Sequence, residues 1–217
     1  MGKISAFAKG ARRQNSPLMG VVNPFSFGQF TLYEGRNSNT LQQASITNYF
    51  SELREDVESA YYGMYFLEFA DYYTREYNDE VTMLKLLYQT LRVLAKKSIA
   101  LALIRYIYEL KAISINGEAP QVFQCVTCGS NEREMVFSAL KGGSVCSACR
   151  VHLQDAQKIS GSTLYTMQYV ISTPIEKLYT FTVSDEVFEE LKEIVEYYVS
   201  IYIGKEFKSL EILKTLF

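Results

Sequence analysis

Four cysteines, Cys125, Cys128, Cys146 and Cys149, are the only ones in the 217-residue chain, and they fall into two Cys-x-x-Cys knuckles separated by seventeen residues. Two residues between sulfurs let a tight turn aim both at one ion, and the intervening loop can return a second pair to the same point. This is the spacing of a structural four-cysteine zinc site. Gly129 follows the first knuckle, where a left-handed turn residue is often needed, and Gly142-Gly143 suggest a hairpin turn leading into the second. A four-thiolate site is closed, so one zinc per chain is expected to hold the fold and take no part in catalysis. The alternatives are two disulfides or four unrelated thiols; all four cysteines fit the pattern and none is left over. The only histidine, His152, lies three residues past Cys149. It reads as an ordinary residue at the start of a helix, with replacement of one thiolate as the alternative.

A second kind of chemistry is suggested by Lys9-Gly10-Ala11-Arg12-Arg13, three cations in five residues beside a glycine. Such a loop between strands can grip phosphates, or it is a solvated basic turn. Residues 1–50 carry Lys3, Lys9, Arg12, Arg13 and Arg36 against the single acid Glu34, in a chain whose net charge is −2. The candidate DNA contacts are those five cations. Nearby Phe7, Phe25, Phe27, Phe30 and Tyr33 either stack on bases or fill a core. Lys205 and Lys208 flank Phe207 just after Gly204; they mark a second basic site or a turn with cations near a helix C-terminus. No phosphate-cradling GxxxxGK[ST] and no GxSxG elbow occurs. The acidic residues on helices read as solvated, so no enzyme is expected.

Apolar residues make up 48 % of the chain, enough for a real core. The N-terminus shows no secretory signal, and runs such as Ile99 to Ile104 are far too short to cross a bilayer. An intracellular, reducing location is expected, which again favours metal over disulfide.

The elements that must position these groups change character along the chain. Residues 3–46 read as β structure, with strand candidates at Ile4–Ala8, Gln29–Tyr33 and Leu41–Ile46 between Gly, Pro and Asn breakers. That pattern suggests a small barrel or curled sheet, with too few strands to close. From about Thr47 the period becomes helical. Val57, Ala60, Tyr61, Met64, Leu67 and Tyr72 mark one apolar stripe, and Met83, Leu84, Leu87, Leu91 and Leu94 a second, after a break at Asn78-Asp79. Ser98 is the expected cap of a third helix that Gly117 stops. Beyond the cysteines, helices are expected at Thr163–Ile171 with Ser162 as cap, from Ser184 to Gly204 with Val187, Leu191, Ile194, Val195, Tyr198 and Ile201 buried, and at Leu210–Leu216. The helices on either side of the cysteine loop should pack together, making that loop an insertion. The 17 tyrosines lie mostly on helices at core spacing.

In combination these features resemble the RecO recombination mediators of bacterial DNA repair. Gly2-Lys3-Ile4 with Ala8-Lys9-Gly10-Ala11-Arg12-Arg13 is similar to the family's N-terminal segment, and Gly20 with Pro24-Phe25-Ser26 to the motif that follows. Tyr108-Glu109-Leu110-Lys111, Gly117 and Pro120 resemble the approach to the first knuckle, Gly142-Gly143 with Cys146 and Cys149 the second. Ile203-Gly204-Lys205 with Lys208-Ser209 resembles the C-terminal signature. The resemblance implies an α+β protein: an OB-fold over 1–47, a helical domain over 48–217, and a zinc finger inserted at 123–152. Members of the family carry further residues before the Gly-Lys position, so the first strand or strands of the barrel are expected to be missing. The resemblance also implies binding of single- and double-stranded DNA, annealing of complementary strands, and help in loading RecA. RecR and the acidic C-terminal tail of single-strand DNA-binding protein are the implied partners, in the cytoplasm near the nucleoid. By motif, Lys9, Arg12 and Arg13 carry over as DNA contacts, the cysteines as zinc ligands, and Lys205 and Lys208 as signature positions. A reading from a different class is a zinc-stapled helical adaptor whose apolar groove takes up an acidic, hydrophobic tail.

Overall fold

A computed structural model describes residues 2–132 and 134–216. Alternating apolar and polar residues build the first sheet. Strands β2 (Phe27–Glu34) and β3 (Asn39–Asn48) pair antiparallel, and the short β1 (Ala6–Phe7) adds in parallel to β3, giving the order β1-β3-β2. The register sets Phe30 against Ala44, Leu32 against Leu41, and Thr40 between Tyr33 and Phe7. Leu32, Leu41, Ala44 and Ile46 pack on Ala8, Ala11, Leu18 and Val21. The strand expected over Ile4–Ala8 shrinks to two residues. Ala11 N–H donates to the Ala8 carbonyl (3.2 Å) and Arg13 N–H to that of Gly10 (2.9 Å), so the chain turns where alternation alone would continue a strand.

Helices α1 (Ser51–Glu55), α2 (Val57–Tyr73) and α3 (Val81–Lys96) follow. Asp56 caps α2 by accepting the Ser59 N–H at 2.9 Å, and Asp79 accepts the Val81 N–H at 3.1 Å where the break was expected. The apolar face of α2 differs from the expected one. Ser59, Gly63, Tyr65, Phe66, Phe69 and Ala70 are buried, whereas Val57 and Met64 are exposed. This helix is apolar nearly all round, so periodicity could not choose its face. Gly63 is on the inside because the Phe25 ring lies against it: a Cβ there would sit 2.8 Å from Phe25 Cε1. On α3 the buried stripe is Met83, Leu86, Thr90, Leu91 and Leu94, and Leu84 faces out.

The C-terminal helix α7 (Lys208–Leu216) packs on α2. Phe207 is buried against Tyr65 (5.4 Å between ring centres) and Phe69 (5.3 Å), and Glu68 accepts both the N–H and the hydroxyl of Ser209. The chain thus divides into two compact units, Met1–Lys96 with Phe207–Phe217, and Lys97–Glu206.

In the second unit α4 (Leu101–Ile115), α5 (Gly161–Ser172) and α6 (Asp185–Tyr202) pack on one another, with residues 116–160 looping out between α4 and α5. Every residue of α4 from Leu103 to Ile113 is buried. Its charged members are therefore partnered. Arg105 bonds Glu109 (2.6 Å) and Glu196 (3.0 Å), and Lys111 donates to the carbonyls of Ile171 (2.8 Å) and Thr173 (2.7 Å) at the end of α5. Ser184 caps α6 as expected. The expected caps Ser98 and Ser162 are both displaced: α4 starts after Ala100 without a side-chain cap, and Ser160 caps α5 through the Thr163 N–H. Gly117 ends α4 in the left-handed region (φ 83). Among the described residues no helix is long and apolar enough to cross a membrane.

Candidate metal centre and nucleic-acid interface

The loop between α4 and α5 folds into a second three-stranded sheet. Its strands are β4 (Met135–Ser138), β5 (Gly143–Cys146) and β6 (Gln157–Lys158), in the order β5-β4-β6. The hairpin expected at Gly142-Gly143 joins β4 to β5, and β5 delivers Cys146 fully buried. Residue 121 lies directly on Gly143: the Gln121 N–H donates to the Gly142 carbonyl (2.9 Å) and the Ser144 N–H to that of Gln121 (2.8 Å). A Cβ on Gly143 would meet the Gln121 oxygen at 2.2 Å, so only glycine permits this approach. The segment running on from Gln121 is thereby aimed at β5, and the Val126 N–H closes on the Ser144 carbonyl at 2.9 Å.

The first knuckle is a tight turn in which the Gly129 N–H donates to the Cys125 carbonyl (2.9 Å), with Gly129 at φ 74, and the Cys125 N–H donates to Ser130 (2.8 Å). The second continues from β5, with the Cys149 N–H on the Cys146 carbonyl (3.1 Å), into a 3-10 turn at Arg150–His152. The four Sγ atoms all lie within 4.8 Å of one another, and those of Cys128 and Cys146 are 3.7 Å apart. A disulfide needs sulfurs about 2.0 Å apart, and the four cysteines are free thiols. Four sulfurs around a tetrahedral ion with bonds of about 2.3 Å stand about 3.8 Å from each other, so the donor set fits a metal ion. The side chain of His152 lies outside the described residues.

The site's electrostatics suit a cation. Burial opposes ionisation of Cys125, but the backbone N–H groups of Cys146, Cys128 and Thr127 outweigh it and hold its thiol down at about 6. Cys149 is pushed the other way, up to about 12, because its protonated thiol donates to the sulfurs of Cys146 and Cys128. Thiols this close cannot all ionise alone, and a divalent ion removes that conflict. Supporting carboxylates were not found by spacing. Glu132 accepts from Ser147 of the second knuckle (2.9 Å), and Asp155 accepts from Ser138 (2.7 Å) and from the Leu140 N–H (2.9 Å) across the hairpin turn. Each lies in a loop, with no spacing that marks it.

The basic candidates are dispersed over surfaces. Lys9, Arg12 and Arg13 are exposed on the turns after β1, which buried Ala11 anchors, and they make no ion pair among the described residues. Lys3 is held by Asp71 at 2.5 Å. Arg36, exposed in the β2–β3 loop, borders with Phe7 a concavity of about 510 Å³ that also contains Glu34 and Glu76. Phe7, Phe30 and Tyr33 are exposed, whereas Phe25 is buried and Phe27 packs at a tilt against Tyr88 (4.2 Å between ring centres). Lys205 and Lys208 are exposed, and it is Phe207 between them that is buried.

Two family models match the chain, one described as "Recombination protein O N terminal" over residues 1–50, the other as "Recombination protein O C terminal" over residues 54–211. The DNA repair protein RecO of Alkaliphilus metalliredigens is 33 % identical over all of this chain and 89 % of its own length. That of Acetivibrio thermocellus is 31 % identical over 99 % of this chain and 86 % of its own, and that of Bacillus pumilus 28 % over 99 % and 84 %. Matches of this extent, spanning both the sheet module and the helices that carry the cysteine loop, place the chain in the RecO family of DNA repair proteins.

Proposed function

We propose that the protein is a non-enzymatic recombination mediator. It binds single- and double-stranded DNA through phosphate contacts, anneals complementary strands by neutralising charge on both, and assists RecA loading together with RecR and the acidic tail of single-strand DNA-binding protein. The observation that carries this reading is the exposed trio Lys9, Arg12 and Arg13, with no ion pair among the described residues, displayed on a turn beside a sheet that also exposes Phe7, Phe30 and Tyr33, in a chain of the RecO family. Cations fix the strand by its phosphates, and aromatic faces accept bases without sequence preference. Arg36 offers a separate cation, on the β2–β3 loop. Lys3 contributes less, since Asp71 already neutralises it. In this reading residues 1–47 are the OB-fold module, 48–217 the helical domain and 123–152 its zinc finger.

The four cysteines hold one structural zinc, which supplies cross-linking of the two knuckles and no reaction chemistry. Support comes from the 3.7 Å sulfur separation and from the lowered Cys125 thiol, already suited to giving up its proton. The test of DNA binding is a salt titration with labelled single-stranded DNA. The variant Lys9→Ala/Arg12→Ala/Arg13→Ala should flatten the dependence of affinity on salt by about 2, since each phosphate no longer neutralised removes roughly 0.7 from the slope. An unchanged slope would remove this turn from the interface.

A further inference from the structure

Helix α3 stands apart from the other long helices in its charge. It carries Lys85, Arg92 and Lys96 and no acidic residue, in a chain with more acids than bases. The three cations are spaced i, i+7 and i+11, so at 100° per residue they fall, with Gln89, within about 60° of arc. All three are exposed, on the face opposite the buried stripe of Met83, Leu86, Leu91 and Leu94. None forms an ion pair among the described residues. Arg92 is pre-positioned: its Nη1 donates to Gln89 (3.2 Å) and its guanidinium lies over Tyr88 (5.9 Å). Tyr88 in turn packs at a tilt on Phe27 at the start of β2 and meets Phe50 beyond β3 (5.7 Å), so the stripe is braced against the first sheet.

We infer that this stripe is a second phosphate-binding surface, taking the sugar–phosphate backbone of a nucleic acid strand. It rests on the DNA-binding reading above but uses none of the residues that reading names. The array is about 16 Å long, eleven residues at 1.5 Å each, and one strand of a duplex presents a charge roughly every 3.4 Å. Three cations in a line therefore match phosphates along one strand. A membrane surface would need the apolar face of the helix, and that face is committed to the core. Lys96, in the last turn, is also favoured by the helix C-terminus, but Lys85 and Arg92 have no such explanation. Spacing could have exposed this stripe from sequence. The scattered cations of a helix in an acidic segment do not attract attention as a consecutive basic run does.

The test uses the full chain and labelled oligothymidylate, read by fluorescence anisotropy across a salt series. In Lys85→Gln/Arg92→Gln/Lys96→Gln the slope of log affinity against log salt should fall by about 2, near 0.7 for each single-strand phosphate released. The loss should add to that of the Lys9/Arg12/Arg13 variant. Far-UV circular dichroism and the thermal midpoint should be unchanged, because the three side chains are exposed. If the parent protein binds and the variant's slope is unchanged, the surface is refuted while the DNA reading survives. If the parent protein does not bind at all, the DNA reading fails and this surface with it. A variant that keeps its DNA slope but loses binding to polyglutamate would overturn the inference in favour of an acidic protein partner.

Discussion

The first sheet and the cysteine hairpin are both three-stranded, and they are held together by different means. The first has two long strands, of eight and ten residues, beside the two-residue β1, and its own apolar cluster is shallow: Ala11, Leu18, Val21 and Leu41 all remain 8 % exposed. It gains support from helices in its unit, through Phe25 on Gly63 and Phe27 on Tyr88. The second has strands of four, four and two residues. Ladders that short are marginal in water. Its residues are nonetheless more deeply buried, with Phe137, Val145 and Cys146 at 0 %, because four sulfurs converge at one end and Tyr198 meets Phe137 (6.0 Å) at the other. Length and neighbouring helices secure one sheet; convergence on a point secures the other.

Removing the convergence should have the largest effect. A strong chelator, or Cys128→Ser, is expected to release residues 121–158 while leaving the first sheet protected, since structural zinc sites contribute on the order of 10 kcal/mol. Hydrogen exchange reads both sheets at once, and elemental analysis should find one zinc per chain. Equal loss of protection in both sheets would break the comparison.

A smaller, symmetrical test exploits two glycines. A Cβ would lie 2.2 Å from the Gln121 oxygen at Gly143 and 2.2 Å from the Ser45 oxygen at Gly28. Each substitution by alanine should cost about 2 kcal/mol in urea denaturation. Gly143→Ala should also speed metal release to a chelator, and Gly28→Ala should not. Metal release that responds to both would show the sheets to be coupled.

The smallest effect concerns the exit from the hairpin. Burial opposes ionisation of Glu190, but the Thr163 hydroxyl (2.6 Å) and the Ser160 N–H (2.8 Å) outweigh it and hold its carboxyl below the usual range. A depressed carboxyl stabilises fully above its unfolded value, about 4.3, and that contribution disappears as pH falls through the lower folded value. Glu190→Gln should cost about 1 kcal/mol at neutral pH and flatten this acid limb. An unchanged acid limb in thermal melts would show that Glu190 does not anchor the start of α5.

The legibility of each element followed how strongly one signal dominated. The cysteine pair spacing brought out the four-sulfur cluster because such a cluster is written in residue type and interval. The stripe of α6 was readable at Leu191, Ile194, Val195 and Tyr198 because charged residues fill its other face, but at its ends Val187 is half-buried and Ile201 exposed. The face of α2 was not, because an almost wholly apolar helix leaves the choice to its neighbours, here Phe25 on Gly63. Ser162 was the cap expected from sequence, but Ser160 takes that place, where Glu190, thirty residues away in sequence, accepts from the Ser160 N–H. At the C-terminus the lysines attracted attention by charge, yet Phe207 and Ser209 do the anchoring, among Tyr65, Phe69 and Glu68.

The amino-acid order by itself determined the four-cysteine cluster, the switch from two-residue to helical period, the turns at Gly117 and Gly129, and membership of a family. These are short-range signals, carried by residue type and interval. Only the tertiary structure decided which face of α2 turns inward, that Lys3 is neutralised by Asp71, and that the C-terminal helix joins the N-terminal unit. Those outcomes depend on which distant groups meet, and burial and ion pairing are properties of the meeting, not of either residue alone.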